Sequence, residues 1–322
     1  MKKTTKAWLL TAAFLMLAGL ILFAAVMTEL DWDFTALSTE NYSTKTYEIK
    51  EPFGSICVHT DSADIAFVLS ENGKCSVECY EEEKLTHFVS VENDTLVIAV
   101  QDERAWYDHI GLLFGEAKLT VNLPKAAYDA LSVQASTGDV ALPEALAFDS
   151  VDVSVSTGDI EVRSDVSGLL KLKTSTGAIR AAELSAGKME LSASTGGIEL
   201  SDVGCEGEVQ LHVSTGKTVL TNVECKTLVS GGSTGDVELQ KVTAEEKITV
   251  RRSTGDVCFD HSDAAELFVE TDTGDVNGSL LTEKIFFVHA DTGSVTVPQT
   301  TGGGRCEIIT DTGDIKLMIA EP

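Results

Sequence analysis

Apolar and polar positions alternate along most of the chain, and from residue 131 onward the alternation repeats with a fixed period. A Thr-Gly pair recurs with Thr at 137, 157, 176, 195, 215, 234, 254, 273, 292 and 312, at spacings of 19 or 20 residues. Three residues after each Thr stand Val140, Ile160, Ile179, Ile198, Thr218, Val237, Val257, Val276, Val295 and Ile315. The same parity holds four and six residues before it, as in Val133 and Leu131 or Val269 and Leu267. Such alternation predicts strands with one buried face. A fixed period near 20 marks a solenoid or array, whose units bury their faces only by stacking. Each unit reads as strand, Thr-Gly corner, strand, variable loop. Gly after Thr in every unit points to a corner with positive φ, and the preceding Ser or Asp is suited to bond a turn N–H. The fold class is therefore all-β: a single-stranded, β-helix-like β-solenoid of ~10 coils, each of 19–20 residues. A hairpin array or propeller fits the alternation too, with Thr-Gly as a two-residue loop. Near-identical corners in all units favour stacked ladders.

The N-terminus follows a different pattern. Lys2, Lys3 and Lys6 precede an uncharged run over residues 7–27. At ~1.5 Å rise per residue this run reaches about 31 Å, enough to cross a bilayer. Lysines before it and Glu29, Asp31 and Asp33 after it place the N-terminus in the cytoplasm. Ala24-Ala25-Val26-Met27 offers no good cleavage site, so an uncleaved anchor is expected. The organisation then reads 1–6 cytoplasmic, 7–27 transmembrane signal anchor, 28–46 polar stalk, 47–130 irregular β coils forming a cap, and 131–322 regular Ser/Asp-Thr-Gly repeats. Within the cap, residues 101–117 carry Trp106, Tyr107, Ile110, Leu112, Leu113 and Phe114. They read as an apolar lid over the first coil or, alternatively, as an exposed binding loop.

A resemblance becomes visible along the cap. Ser62-Ala63-Asp64-Ile65, then Asn93-Asp94-Thr95-Leu96-Val97-Ile98, then Leu119-Thr120-Val121-Asn122-Leu123-Pro124 run directly into Leu131-Ser132-Val133 and Ser136-Thr137-Gly138-Asp139. In that order they resemble the bacterial putative-adhesin family, a domain of unknown function with β-strand repeats, over residues 45–320. The resemblance implies a β-helix-like fold on the bacterial surface and brings no catalytic or ligand residues. Some relatives accompany envelope-stress regulators, which supplies an alternative reading.

Charge narrows the partners. The chain has 322 residues and a formal net charge of −27, so nucleic acid and anionic lipids or wall polymers are repelled unless cations bridge. In the last three coils Asp272, Asp275, Asp291, Asp311 and Asp314 fall along one edge. Hard carboxylate oxygens suit Ca²⁺, so this is a candidate calcium ridge; a solvated row of turn-capping Asp is the other reading. No other cofactor is expected. Cys205 and Cys225 each follow a Thr by ten residues. They should stack in adjacent coils ~4.8 Å apart, within reach of a disulfide, or else remain buried thiols. No Cys/His spacing reads as a zinc site.

Two motifs mimic active sites. Asp291-Thr292-Gly293-Ser294 spells an aspartic-protease motif, but stacked corners provide no cleft for facing carboxylates. Gly231-Gly232-Ser233-Thr234-Gly235 fits Gly-x-Ser-x-Gly, but a strand follows where a nucleophile elbow needs a helix.

The sequence thus reads as a single-pass protein of the bacterial cell membrane, holding an acidic β-solenoid outside the cell. It is expected to be no enzyme but a surface-binding, adhesin-type module for a surface protein or glycan. The alternative is an accessory or sensing module in the cell-envelope stress response. Carbohydrate processing would need a groove bringing Asp, Lys and Arg together, and Arg163, Arg180, Arg251 and Arg252 are scattered. The last coil ends almost bare at Pro322, so a homodimer through the C-terminal solenoid edge is a further expectation.

Overall fold

A computed structural model describes residues 3–32, 42–104 and 117–320. Helix α1 (Lys3–Glu29) contains the stretch Trp8–Glu29, of mean hydropathy 2.6, which is long and apolar enough to cross a membrane. Trp8, Phe14, Leu17 and Ile21 are all exposed on it, as on a helix that is apolar all round. The next described residues already form a strand, so part of the segment expected as stalk, from Tyr42, is β-structure.

Seven strands build the cap: β1 (Tyr42–Ile49), β2 (Ser55–Ser62), β3 (Asp64–Leu69), β4 (Cys75–Glu82), β5 (Leu85–Glu92), β6 (Thr95–Asp102) and β7 (Lys118–Leu123). β2 and β3 wind as a coil, with Ser62 opposite Thr137 and Ile65 opposite Val140. The regular ladder therefore begins one coil earlier than the Thr-Gly pairs show. β6 and β7 add another parallel layer beyond it. β5 and β4 then run antiparallel to β6 and β7, and β1 lies antiparallel on β4. The segment 101–117 leaves between β6 and β7, where other coils have their Gly corner. The lid read there falls in residues 105–116, outside those described.

The Thr-Gly coils stack in parallel. Their strands are β8 (Ala127–Thr137), β9 (Val140–Leu142), β10 (Ala147–Thr157), β11 (Ile160–Val162), β12 (Asp165–Thr176), β13 (Ile179–Thr195), β14 (Ile198–Thr215), β15 (Thr218–Thr234), β16 (Val237–Thr254) and β17 (Val257–Thr273). Each Thr lies opposite the Thr of the next coil, from Thr137 to Thr273. The apolar columns form one continuous core, with Val133, Val153, Ile160, Ile179, Ile198, Val237 and Val250 at most 1% exposed.

What the sequence suggests is a variable loop proves to be a third strand face in the middle coils. The backbone turns a second corner seven residues after Thr, where Glu183, Asp202, Asn222, Lys241 and His261 hold φ between 49° and 54°. Inward residues then resume at Val203, Val223 and Val242, and at Cys205, Cys225 and Ala244. No Gly marks this corner. Asp and Asn enter the left-handed region with little penalty, and the other side chains at some cost.

The first corner leaves no such choice. Gly177 has φ +140°, and a Cβ there would sit 2.1 Å from the carbonyl oxygen of Gly158 in the coil below. Gly158 N–H in turn donates to the Thr176 carbonyl at 2.8 Å. Close backbone approach and positive φ together exclude a side chain.

Two polar breaks in the apolar columns, Thr218 and Ser230, have a common cause. Arg252 points inward and is 3% exposed. Its Nη2 donates to Thr218 Oγ1 and Ser230 Oγ, each at 3.0 Å, and its Nη1 to the Arg251 carbonyl at 3.1 Å. Gly232, opposite Arg252 in the next coil, leaves room for the guanidinium. With no carboxylate beside it, burial pulls the Arg252 pKa down to about 10.

The last coils depart from chain order. They comprise β18 (Val276–Leu280), β19 (Lys284–Thr292), β20 (Val295–Thr296), β21 (Gly304–Thr312) and β22 (Ile315–Ile319). β17 pairs with β21, not β19, and β21 then pairs with β19; β18, β22 and β20 follow the same order. The C-terminal coil is thus an inner layer, and the terminal edge belongs to residues 284–296. This corrects the expectation that the last coil of the chain ends the rod. Two features hold the exchange. Lys284, 2% exposed, pairs with Asp263 on β17, the strand that β21 separates from β19, and Asp263 Oδ2 accepts from Thr282 Oγ1 at 2.7 Å. A Cβ on Gly304 would lie 1.7 Å from the Ala265 carbonyl oxygen, so the returning strand needs Gly there.

Gly177→Ala is expected to lower stability by at least about 1–3 kcal/mol, the cost of a strained backbone before any clash is counted. Gly204→Ala, where a Cβ meets nothing within 4 Å, should change it little. Thermal melts of the two variants check this; equal melting temperatures would contradict the corner account.

Candidate functional site

The corner carries a second ladder made of side chains. Asp159 N–H donates to Asp139 Oδ1 at 2.7 Å, and Ala178 N–H to Asp159 Oδ1 at 2.8 Å. The same bond joins Asp256 to Asp236, Asp275 to Asp256, Asp314 to Asp275, and Ser294 to Asp314. Each Asp after Gly therefore ties its coil to the next. Asp suits this slot because a short carboxylate reaches a backbone N–H one layer away, whereas Ala178, Gly197, Lys217 and Ser294 fill it in the other coils.

The five Asp of the calcium reading divide between two slots. Asp275 and Asp314 belong to this ladder and are engaged by backbone N–H groups. Asp272, Asp311 and Asp291 are exposed two residues before the Gly, and Asp291 Oδ1 takes a bond from His289 Nε2 at 2.7 Å. With the coil exchange, their order along the edge is Asp272, Asp311, Asp291. The structure brings them into line but not to one point: among the described residues, no three of these carboxylates offer oxygens within 4.8 Å of one another.

Cys205 and Cys225 are register partners in adjacent coils, as the spacing implies. Both are buried and both are free thiols, as are the other five cysteines. Burial pushes Cys225, Cys79 and Cys306 up to about 12 and Cys75 up to about 11. Cys205 is raised by the same cause.

The cap holds a polar cluster that sequence spacing does not reveal. β4 turns Cys79 and Glu81 inward, at 0% and 1% exposure. Glu81 Oε2 accepts from the backbone N–H of His87 at 2.7 Å and lies 2.8 Å from His87 Nδ1. His87 Nε2 is 2.8 Å from Thr60 Oγ1 on β2, and Lys45 Nζ on β1 is 3.2 Å from Glu81 Oε1. Hydroxyl, imidazole and carboxylate stand in the order of a hydrolytic triad. Thr60, His87 and Glu81 are all buried, however, so the hydroxyl faces no substrate space. The arrangement acts as a lock joining four strands of the cap. Cys79, Glu81 and His87 are also the residues that could hold a metal ion, with ligand atoms within 4.8 Å of one another. The available signal was parity: Glu81 continues the inward row Cys75, Val77, Cys79, where an apolar residue is due.

The outward faces are open and repetitive. Ion pairs bridge neighbouring coils at Lys171–Asp152, Arg180–Asp159 and Arg251–Glu270, at 3.0, 2.7 and 3.2 Å. The Arg251 guanidinium also stacks 4.9 Å from the Phe268 ring centroid. Arg163, Arg180 and Arg251 thus each serve a pair with a nearby carboxylate, and Arg252 serves the core.

Two outcomes follow from these groups. The Ala178 N–H, and after it Arg180, hold the Asp159 carboxyl below its ordinary 3.8, and the Ser294 N–H does the same for Asp314. A depressed carboxylate contributes stability above its unfolded pKa and loses it as pH falls through the folded one. The melting temperature should therefore drop below about pH 4, and Asp159→Ala should shrink that drop; a flat profile down to about pH 2.5 would contradict the ladder. For the thiols, Ellman's reagent should find few reactive groups in the native protein and all seven in denaturant. A denatured titre two short of seven would instead establish a disulfide.

The sequence pattern of the Toastrack DUF4097 family matches residues 53–216 and 205–322. Among solved structures, the chain is similar to a "putative adhesin" from Parabacteroides merdae, 14% identical, over 75% of this chain and 97% of that one, with a TM-score of 0.49. It is similar to a "putative adhesin" from Parabacteroides distasonis, 13% identical, over 87% and 98% of the two chains, TM-score 0.47. A "putative lipid binding protein" from the same species is 15% identical over 86% and 98%, TM-score 0.46. No curated protein is matched. The two matched stretches run from Phe53, ahead of the coil below the first Thr-Gly corner, through every coil above it, and the chain belongs to the Toastrack DUF4097 family.

Proposed function

We propose that this protein is a non-enzymatic, adhesin-type surface-binding module, held at the bacterial membrane by α1 with its β-solenoid outside the cell. The observation that carries the reading is the parallel stack itself. In-register coils repeat the same outward slots every ~4.8 Å, so the rod presents long, flat, repetitive faces. Such faces suit many modest contacts along an extended protein or glycan, as in other solenoids. Their polar groups are already paired between coils and remain open to solvent. The net charge of −27 repels anionic partners along these faces and makes binding to cationic ones salt-dependent.

The test is to place the full chain in fluorescent vesicles and measure binding to extracellular-matrix proteins, glycans and isolated bacterial envelopes, at low and high salt and with calcium or chelator. Saturable binding to one foreign surface is expected. Binding no greater than that of empty vesicles on every surface would overturn the reading. Loss of binding with chelator would assign the exposed Asp272–Asp311–Asp291 row a calcium-dependent part in it.

A further inference from the structure

The two ends of the rod are built differently. At one end the parallel ladder is closed by the reversed strands β4, β5 and β1, and the chain enters there from α1. At the other end, β19 has β21 on one side and, among the described residues, no strand on the other; β20 likewise pairs only with β22. Burial records the difference. In β17 the inward Leu267 and Val269 are 2% and 0% exposed, whereas the equivalent Phe286 and Val288 of β19 are only half-buried. Their outward neighbours Ile285 and Phe287 are 42% and 52% exposed. The far tip is therefore a sheet edge with unpaired backbone groups, carrying an open slice of the core. Soluble proteins seldom leave such an edge uncovered.

We propose that the tip is a homophilic contact site: β19 of one molecule pairs antiparallel with β19 of a second, so that molecules anchored in two facing membranes join end to end. The inference rests on the surface-binding reading and names one of its partners as another copy of this chain. Self-pairing suits the strand. A two-fold axis through Val288 keeps inward residues opposite inward residues, whereas an axis between two residues would set inward against outward. In that register Phe286 of each copy faces Ala290 of the other, a large side chain against a small one, and Phe287 faces His289. The half-buried inward row then becomes the interior of one continuous core. An antiparallel seam is also how this molecule ends its ladder at the capped end. A two-fold across the rod points the two molecules in opposite directions, which is the arrangement needed to bridge two surfaces. One short seam is weak alone, but many tips between two membranes act together.

The experiment reconstitutes the full chain into two vesicle populations carrying different dyes and counts two-colour aggregates. Wild-type vesicles should tether to one another. Phe287→Glu, an exposed position, should reduce tethering at least about tenfold without lowering the melting temperature. Val288→Cys should give a covalent dimer across the axis under mild oxidation. Undiminished tethering by Phe287→Glu, or no covalent dimer from Val288→Cys, would overturn the proposed contact. Vesicles that bind a foreign surface but never one another would overturn it while leaving the surface-binding reading in place. Vesicles that do neither would overturn both.

Discussion

The rod depends on how closely two backbones meet at the Thr-Gly corner. From Gly158 on, each corner Gly sits on the carbonyl of the corner Gly in the layer below, at a distance no Cβ could share, and all but Gly293 on the free edge donate their N–H to the Thr carbonyl of a neighbouring coil. That contact admits one register only. Because side chains alternate with period two, fixing the corner fixes every inward column on the adjoining faces. Where Asp follows the Gly, its carboxylate adds a second bond between layers at the same place, and the corner geometry continues across the exchanged coils through Gly274, Thr312, Gly313 and Thr292.

A repeated sequence carries a hazard: any coil could dock on almost any other. The polar groups of the interior remove that degeneracy. Arg252 finds its two hydroxyl partners only where Thr218 and Ser230 lie in the layers beside it. Lys284 and Asp263 form a buried ion pair between β19 and β17. Glu81, His87, Thr60 and Lys45 meet only when the reversed strands fold over the first coils. Buried polar sets of this kind cost desolvation energy, and misdocking would leave them unpaired. They specify the layer order that the repeats by themselves leave open.

The ends follow from the same logic. Reversed strands close the end near the anchor, while the far end keeps the parallel ladder's edge and a half-covered core row at Phe286 and Val288. The Asp-Thr-Gly and Gly-x-Ser-x-Gly spellings are parts of the corner ladder, and the triad-like Thr60, His87 and Glu81 are buried inside the cap.

The repeating unit was legible in the chain alone. Period, parity and the Gly column are local properties of the chain, and they gave the stacked coils, the buried columns and the alignment of Cys205 with Cys225. The corner at Glu183, Asp202, Asn222, Lys241 and His261 escaped notice because its left-handed residues share no type. The cap cluster escaped because its members come from separate strands joined through antiparallel pairings that no spacing records. Only the tertiary structure decided the order of the final coils, and with it which edge is exposed. Residues 284–296 and 304–319 both carry the corner motif and both fit the ladder. The choice between them lies in the close passage of Gly304 over Ala265, where no Cβ fits, a contact that arises only when the layers are in place.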